Sequence, residues 1–219
     1  MDQQLESIKK LAQYVKASFV WCNLSFGELW YLTQTPETEQ EKELCKGHTL
    51  NFYGIALQYV IVMEYAKMLE EKYSENEKQK NKNVGSIIRL NEEVKKFFGS
   101  DFQKALINDK ILDELKTSKF YEKLRNLRDK KFGHIDADYS VNPLSIKGFS
   151  GNEIDECKRH LMLILQALNN CLEMFDHALI EKIPNRDNRT ANFIRYHSKY
   201  QKYYHDNFVK AHNEGYGLS

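Results

Sequence analysis

Arg128 and His134 stand six residues apart in Leu127-Arg128-Asp129-Lys130-Lys131-Phe132-Gly133-His134-Ile135-Asp136, and their types suit phosphodiester chemistry. A guanidinium keeps its charge at any working pH and offers a planar, bidentate face to a phosphate. An imidazole exchanges a proton near neutral pH, either with the attacking 2′-hydroxyl of RNA or with the oxygen that leaves. On an uninterrupted helix the two residues would lie about 240° apart around the axis. Gly133 is a natural left-handed helix stop, and a turn there lets the imidazole fold back beside the last helical turn.

The charge around the pair is local. Residues 119–134 hold six Lys or Arg against two acids, in a chain whose formal net charge is +1. No global field therefore steers the chain to nucleic acid, and any basic site has to be a patch. Lys123, Arg125, Lys130 and Lys131 are the side chains expected to hold an RNA backbone around the pair. The same residues also complement the dipole at a helix C-terminus, so the spacing alone does not make a site.

Other constellations are weaker. Cys157 and His160 share a helix face without a second pair at metal-ligand spacing, and no Glu-x-x-His is present, so neither a metal nor a cofactor is expected. Glycine-rich phosphate loops are missing from the sequence. The stretch 182–212 carries seven Lys or Arg against two Asp, interleaved with six aromatics. Such interleaving suits base stacking on single-stranded RNA. Yet Phe193, Tyr196, Tyr200 and Tyr203 recur at three- and four-residue steps, which is the packing stripe of an amphipathic helix. Packing on the bundle or a dimer contact is the expectation there.

The elements that must position these residues are helical. With 10 Gly and 3 Pro in 219 residues, the chain is short of turn residues. Apolar residues recur at helical spacing over 3–34, where Leu5, Ile8, Leu11, Ala12, Val15 and Phe19 mark one face. Thr35-Pro36-Glu37 looks like the cap and first turn of a new helix. A strongly apolar helix is expected over 50–73, a charged loop over 74–83, and a helix capped by Ser86 and closed by Gly99. A further helical piece spans 101–115. Thr117-Ser118 precede the helix that carries the Arg/His string, expected to run to Phe132. After a loop over 136–150, Ser150 and Glu153 have capping-box spacing before a long apolar helix ending near Ile183-Pro184. A last helix covers 190–212.

The fold class expected is all-α: an up-down bundle of four to five main helices with an extra C-terminal helix. The division expected is a bundle over 1–183 and an aromatic, basic helix over 184–219. Cys22, Cys45, Cys157 and Cys171 lack paired spacing and read as buried free thiols of a reducing compartment. The N-terminus is polar and acidic, and the longest apolar stretch falls far short of the roughly 20 residues that cross a bilayer. A cytoplasmic setting without membrane contact is the expectation.

The string Leu127 to Asp136 resembles the signature of the HEPN superfamily, and its wording is most similar to an abortive-infection branch of that family. The resemblance spans roughly residues 5 to 182, with 127–136 as its specific part. It implies a helical bundle that forms a homodimer, so that two Arg/His sets face each other in one basic cleft. It implies a metal-independent endoribonuclease acting as a toxin or in antiphage defence. Carried over, Arg128 binds the scissile phosphate, His134 acts as acid and base, and Asp129 takes the polar slot that orients them. The alternative it leaves open is a non-catalytic module that binds RNA or a protein, such as a nucleotidyltransferase-type antitoxin.

Overall fold

A computed structural model of the chain describes residues 2–70, 85–100, 102–129, 149–173 and 189–215. Among these residues the protein is all-α, as its composition predicts. The helices are α1 (Asp2–Gln34), α2 (Glu39–Lys46), α3 (His48–Met68), α4 (Ile87–Phe98), α5 (Gln103–Thr117), α6 (Lys119–Leu127), α7 (Gly151–Leu172) and α8 (Arg189–Gly215). None among the described residues is long and apolar enough to cross a membrane.

The chain divides into two compact units. One is Met1–Phe26 with Leu57–Ile183, the other Gly27–Ala56 with Pro184–Ser219. Helices α1 and α3 each lend a length to both.

In the first unit, Ile8, Ala12, Val15, Phe19 and Cys22 form a buried stripe along α1. Their spacing of three and four residues keeps them on one side of the helix. Ile61, Val62, Tyr65 and Met68 of α3 and Ile154, Leu161, Ile164 and Leu168 of α7 are buried in the same unit. Burying one such side chain contributes about 1.5–3 kcal/mol, which is why these stripes and not helix propensity hold the bundle.

A buried amide ladder ties α4, α5 and α7 together. Asn91 Nδ2 donates to the Ala105 carbonyl at 3.1 Å and to Asp109 Oδ1 at 2.9 Å. Asn108 Nδ2 donates to Asn91 Oδ1 and to the Ala167 carbonyl, each at 3.1 Å. Asn108 Oδ1 accepts from Asn170 at 2.8 Å.

Helix starts follow local chemistry. Ser86 Oγ accepts from the Arg89 amide at 3.3 Å, Ser118 Oγ from the Tyr121 amide at 3.0 Å, and Ser150 with Glu153 forms a reciprocal capping box. Gly99 ends α4 at φ 106°, a conformation that costs other residues dearly. The start of α2 differs from expectation. Thr38, not Thr35, is the cap: its hydroxyl accepts from the Glu41 amide at 3.2 Å, while Glu41 Oε2 accepts from the Thr38 amide at 3.2 Å and the Glu37 amide at 2.8 Å. Three residues after Thr35 stands Thr38, which has no carboxylate to return the bond, whereas Thr38 finds Glu41. Helix α3 ends at Met68, short of the expected Tyr73, with Leu69 in a turn and Glu70 already out of the helix. The charged loop and the loop over 136–148 lie outside the described residues.

In the second unit, α8 lies beside α2. Its inner side is Ile194 and Ser198, 1% and 6% exposed. The Thr190 hydroxyl donates to the Glu28 carboxylate, and Arg195 pairs with Glu37 at 3.2 Å. Phe193, Tyr196, Tyr200 and Tyr203 are turned away from that side and are all more than half exposed. The helix packs, but not through its aromatic stripe.

Candidate functional site

Helix α6 starts at its Ser118 cap and buries Phe120 and Leu124. Its Tyr121 hydroxyl donates to the Leu69 carbonyl at 3.3 Å, which holds α6 against the end of α3. That contact brings Arg128 beside Glu70. The regular α-helix runs to Leu127, and Arg128 and Asp129 continue it in a widened turn; the expected end at Phe132 lies outside the described residues.

Arg128 Nε donates to Asp129 Oδ1 at 2.8 Å, and its Nη1 lies 3.6 Å from Glu70 Oε1. Its side chain keeps 18% of its surface exposed. Arg125 Nε approaches the other oxygen of Asp129 at 3.8 Å, so Asp129 stands between two guanidinium groups. Lys123 is engaged elsewhere: its ammonium pairs with the Glu153 carboxylate and sits 6.0 Å from the Phe149 ring centroid. Part of the basic excess read from the sequence is thus met by acids from other helices. Lys130, Lys131, Gly133 and His134 lie outside the described residues.

Glu70 carries no sequence signal. It follows an apolar helix and belongs to no motif; only the placement of the end of α3 against α6 brings it to Arg128.

A second polar cluster lies deeper in the first unit, around His160. Tyr65 Oη and His160 Nδ1 are 2.5 Å apart, and both residues are fully buried. His160 Nε2 lies 3.2 Å from Glu156 Oε1 and 3.2 Å from Arg159 Nη2. A proton on Nε2 satisfies both ends, since Nε2–H donates to Glu156 and Nδ1 accepts the buried Tyr65 hydroxyl proton. Arg159 then donates to Glu156, at 2.7 and 3.1 Å, and to Glu114. Burial first, and the Arg159 cation second, hold the His160 pKa below its ordinary value. The Phe120 ring meets the imidazole edge to face at 5.1 Å. Tyr65 and His160 form the buried end of the cluster, and Arg159, Glu114 and Glu156 its exposed end.

The second unit holds a groove of about 500 Å³ between α2 and α8, lined by Gln40, Glu43, Leu44, Ser198, Lys202 and His205. Among the described residues no three His, Cys, Asp or Glu side chains gather as a metal-holding group. Of the residues expected to act together, the structure brings Arg125, Arg128 and Asp129 to one place and sets Lys123 in a separate ion pair. Compared with known proteins, the chain matches no family model, no curated protein and no solved structure.

Proposed function

We propose that the chain is a metal-independent endoribonuclease of the HEPN type, acting as a toxin or in antiphage defence, with Arg128 and His134 as its working pair. The observation that carries this reading is the ordered guanidinium of Arg128, held at the end of α6 by Asp129 and Glu70. Phosphoryl chemistry on RNA needs a fixed cation where charge builds up on the phosphate, and a cation positioned in advance costs no reorganisation at reaction. The widened turn at Arg128 and Asp129 supports it too, since such turns recur at functional sites.

In the proposed reaction the 2′-oxygen forms a bond to phosphorus and the bond to the 5′-oxygen breaks. One imidazole takes the 2′-hydroxyl proton and another group returns a proton to the departing oxygen, leaving a 2′,3′-cyclic phosphate and a 5′-hydroxyl. Two Arg/His sets in a homodimer provide both partners for that exchange.

The same ion pairs favour one second reading. Glu70 and Asp129 already neutralise Arg128, so a phosphate must displace a carboxylate to reach it. A module that holds RNA or an antitoxin protein without cutting tolerates that arrangement better than a fast nuclease. The deciding experiment compares RNA cleavage by wild type, Arg128→Ala and His134→Ala, each with and without a chelator. The nuclease reading expects losses on the order of 10²–10⁴-fold for His134→Ala and none from the chelator. Cleavage that survives His134→Ala, or that stops with the chelator, overturns it.

A further inference from the structure

We infer that the outward face of α8 is a stacking platform for single-stranded RNA. The choice of RNA over DNA rests on the reading proposed above; the stacking surface itself rests on the second unit alone.

The face is built in register. Phe193, Tyr196, Tyr200 and Tyr203 are 51%, 72%, 62% and 68% exposed. Steps of three, four and three residues put the rings on an arc of about 80°, spaced about 4.5–6 Å along the axis. The helix that carries them is anchored on its other side by Ile194 and Ser198, by the Thr190 bond to Glu28 and by the Arg195–Glu37 pair. The Phe193 ring already stacks on His197, centroids 5.3 Å apart and planes within 9°. An anchored row of planar rings loses little freedom when further planar rings stack on it.

Charge selects the occupant. Lys199 and Lys210 fall within about 40° of the edge of the arc at Tyr203, on the same side of the helix. Helix α8 carries five Lys or Arg against Asp206 and Glu214. Within residues 192–210, the face from Lys199 round to Phe193 holds rings, amides and cations and no Leu, Ile, Val or Met. Helices that pair with a second copy use aliphatic knobs at such positions. A two-fold contact through this face would also bring like charges together. A polyanion with flat bases fits both halves of the surface: its phosphates meet the lysines and its bases meet the rings. Single strands fit and duplexes do not, because the bases of a duplex have their faces occupied.

The test is fluorescence anisotropy of a labelled oligouridine with the full-length chain. Tyr196→Ala with Tyr200→Ala is expected to weaken binding at least tenfold, a cautious figure beside the roughly fivefold or greater loss per ring that stacking implies. Tyr196→Phe with Tyr200→Phe should bind within about twofold of wild type, and the corresponding Leu pair should not, since bases stack on rings and not on isobutyl groups. All these side chains are exposed, and circular dichroism confirms folding. Unchanged affinity in the Ala pair, or full affinity in the Leu pair, overturns the platform. So does a loss of self-association in the Ala pair with RNA affinity intact, which would mark a face for a second copy. Equal affinity for oligodeoxythymidine overturns the choice of RNA. Cleavage persisting in His134→Ala strikes the nuclease reading alone and leaves the oligouridine result standing.

Discussion

The Tyr65 hydroxyl donates to His160 Nδ1 across 2.5 Å in a fully buried pair, joining α3 to α7 over 95 residues of sequence. The opposite nitrogen faces Glu156, and Arg159, Glu114, Cys157 and Phe120 complete the surroundings.

This pair predicts an acid-sensitive fold. The folded imidazole stays neutral below its ordinary value of 6.5, whereas the unfolded one takes up a proton there. The unfolded state therefore binds more protons, and stability falls as pH drops from about 6.5 toward the lower folded value. Glu153 and Glu156 are held below the usual 4.5 and add a separate loss further down. Urea titrations at about pH 7.5 and 5.5 bracket the histidine window. His160→Gln should flatten the slope between them. An equal slope in that variant would assign the effect to other groups.

Asn108 is the second structural keystone. Its amide joins Asn91, Ala167 and Asn170 in a core from which water is shut out. Asn108→Leu keeps much of the volume but strips these partners of their bonds, and each unpaired buried group costs about 1–3 kcal/mol. The variant should lose more than about 2 kcal/mol in denaturant unfolding. Asn170→Leu removes one part-buried bond and should cost less. The reverse ranking would show that Asn108 is not the hub.

How far these features were legible follows from their range. The Ser86, Ser118 and Ser150 starts involve residues three apart, and periodicity and capping rules find them. Thr35 misled because a cap depends on what stands three residues on, and Thr38 wins by its bond with Glu41. The pairing of Asp129 with Arg125 and Arg128 lies within one turn and suits the spacing. Glu70 and Arg128 are 58 positions apart, Asn91 and Asn170 nearly 80, and no local pattern encodes such meetings. On α8 it is the packing reading of the aromatic stripe that fails. Periodicity shows that one side differs from the other, and four aromatic rings suggest the inside. Ile194 and Ser198 form a narrower stripe that does the packing.

The cysteines yield a count. Cys22, Cys157 and Cys171 are buried, and Cys45 is half-buried. Burial pushes the Cys171 thiol up to about 12 and raises Cys22 and Cys157 well above their usual range. Thiolate is the reactive form, so these three should resist a thiol reagent in the native state. One group, Cys45, should react with Ellman's reagent before denaturant is added, and all four after it. Rapid native reaction of two or more would mean that the core opens around α1 or α7. Cys45→Ser should remove the native signal entirely.

Glu70 offers the sharpest probe of Arg128, on the reading that Arg128 meets phosphate. Its carboxylate sits 3.6 Å from the guanidinium, with a quarter of its side chain exposed. An RNA phosphate and Glu70 compete for the same charge, and a partly exposed pair of this kind is worth about 0.2–1 kcal/mol. Glu70→Gln removes the competitor's charge and keeps its shape. RNA affinity should therefore rise roughly 1.4- to 5-fold, the affinity equivalent of that energy, and the gain should shrink as salt screens the charges. Asp129→Asn is a different case, because Asp129 also fixes the direction of Arg128 through Nε. Its lost positioning opposes the gain in charge, so it should bind RNA no better than wild type. Filter binding on both variants separates competition from positioning. Weaker RNA binding by Glu70→Gln would show that Glu70 holds Arg128 in its working direction and does not compete for it.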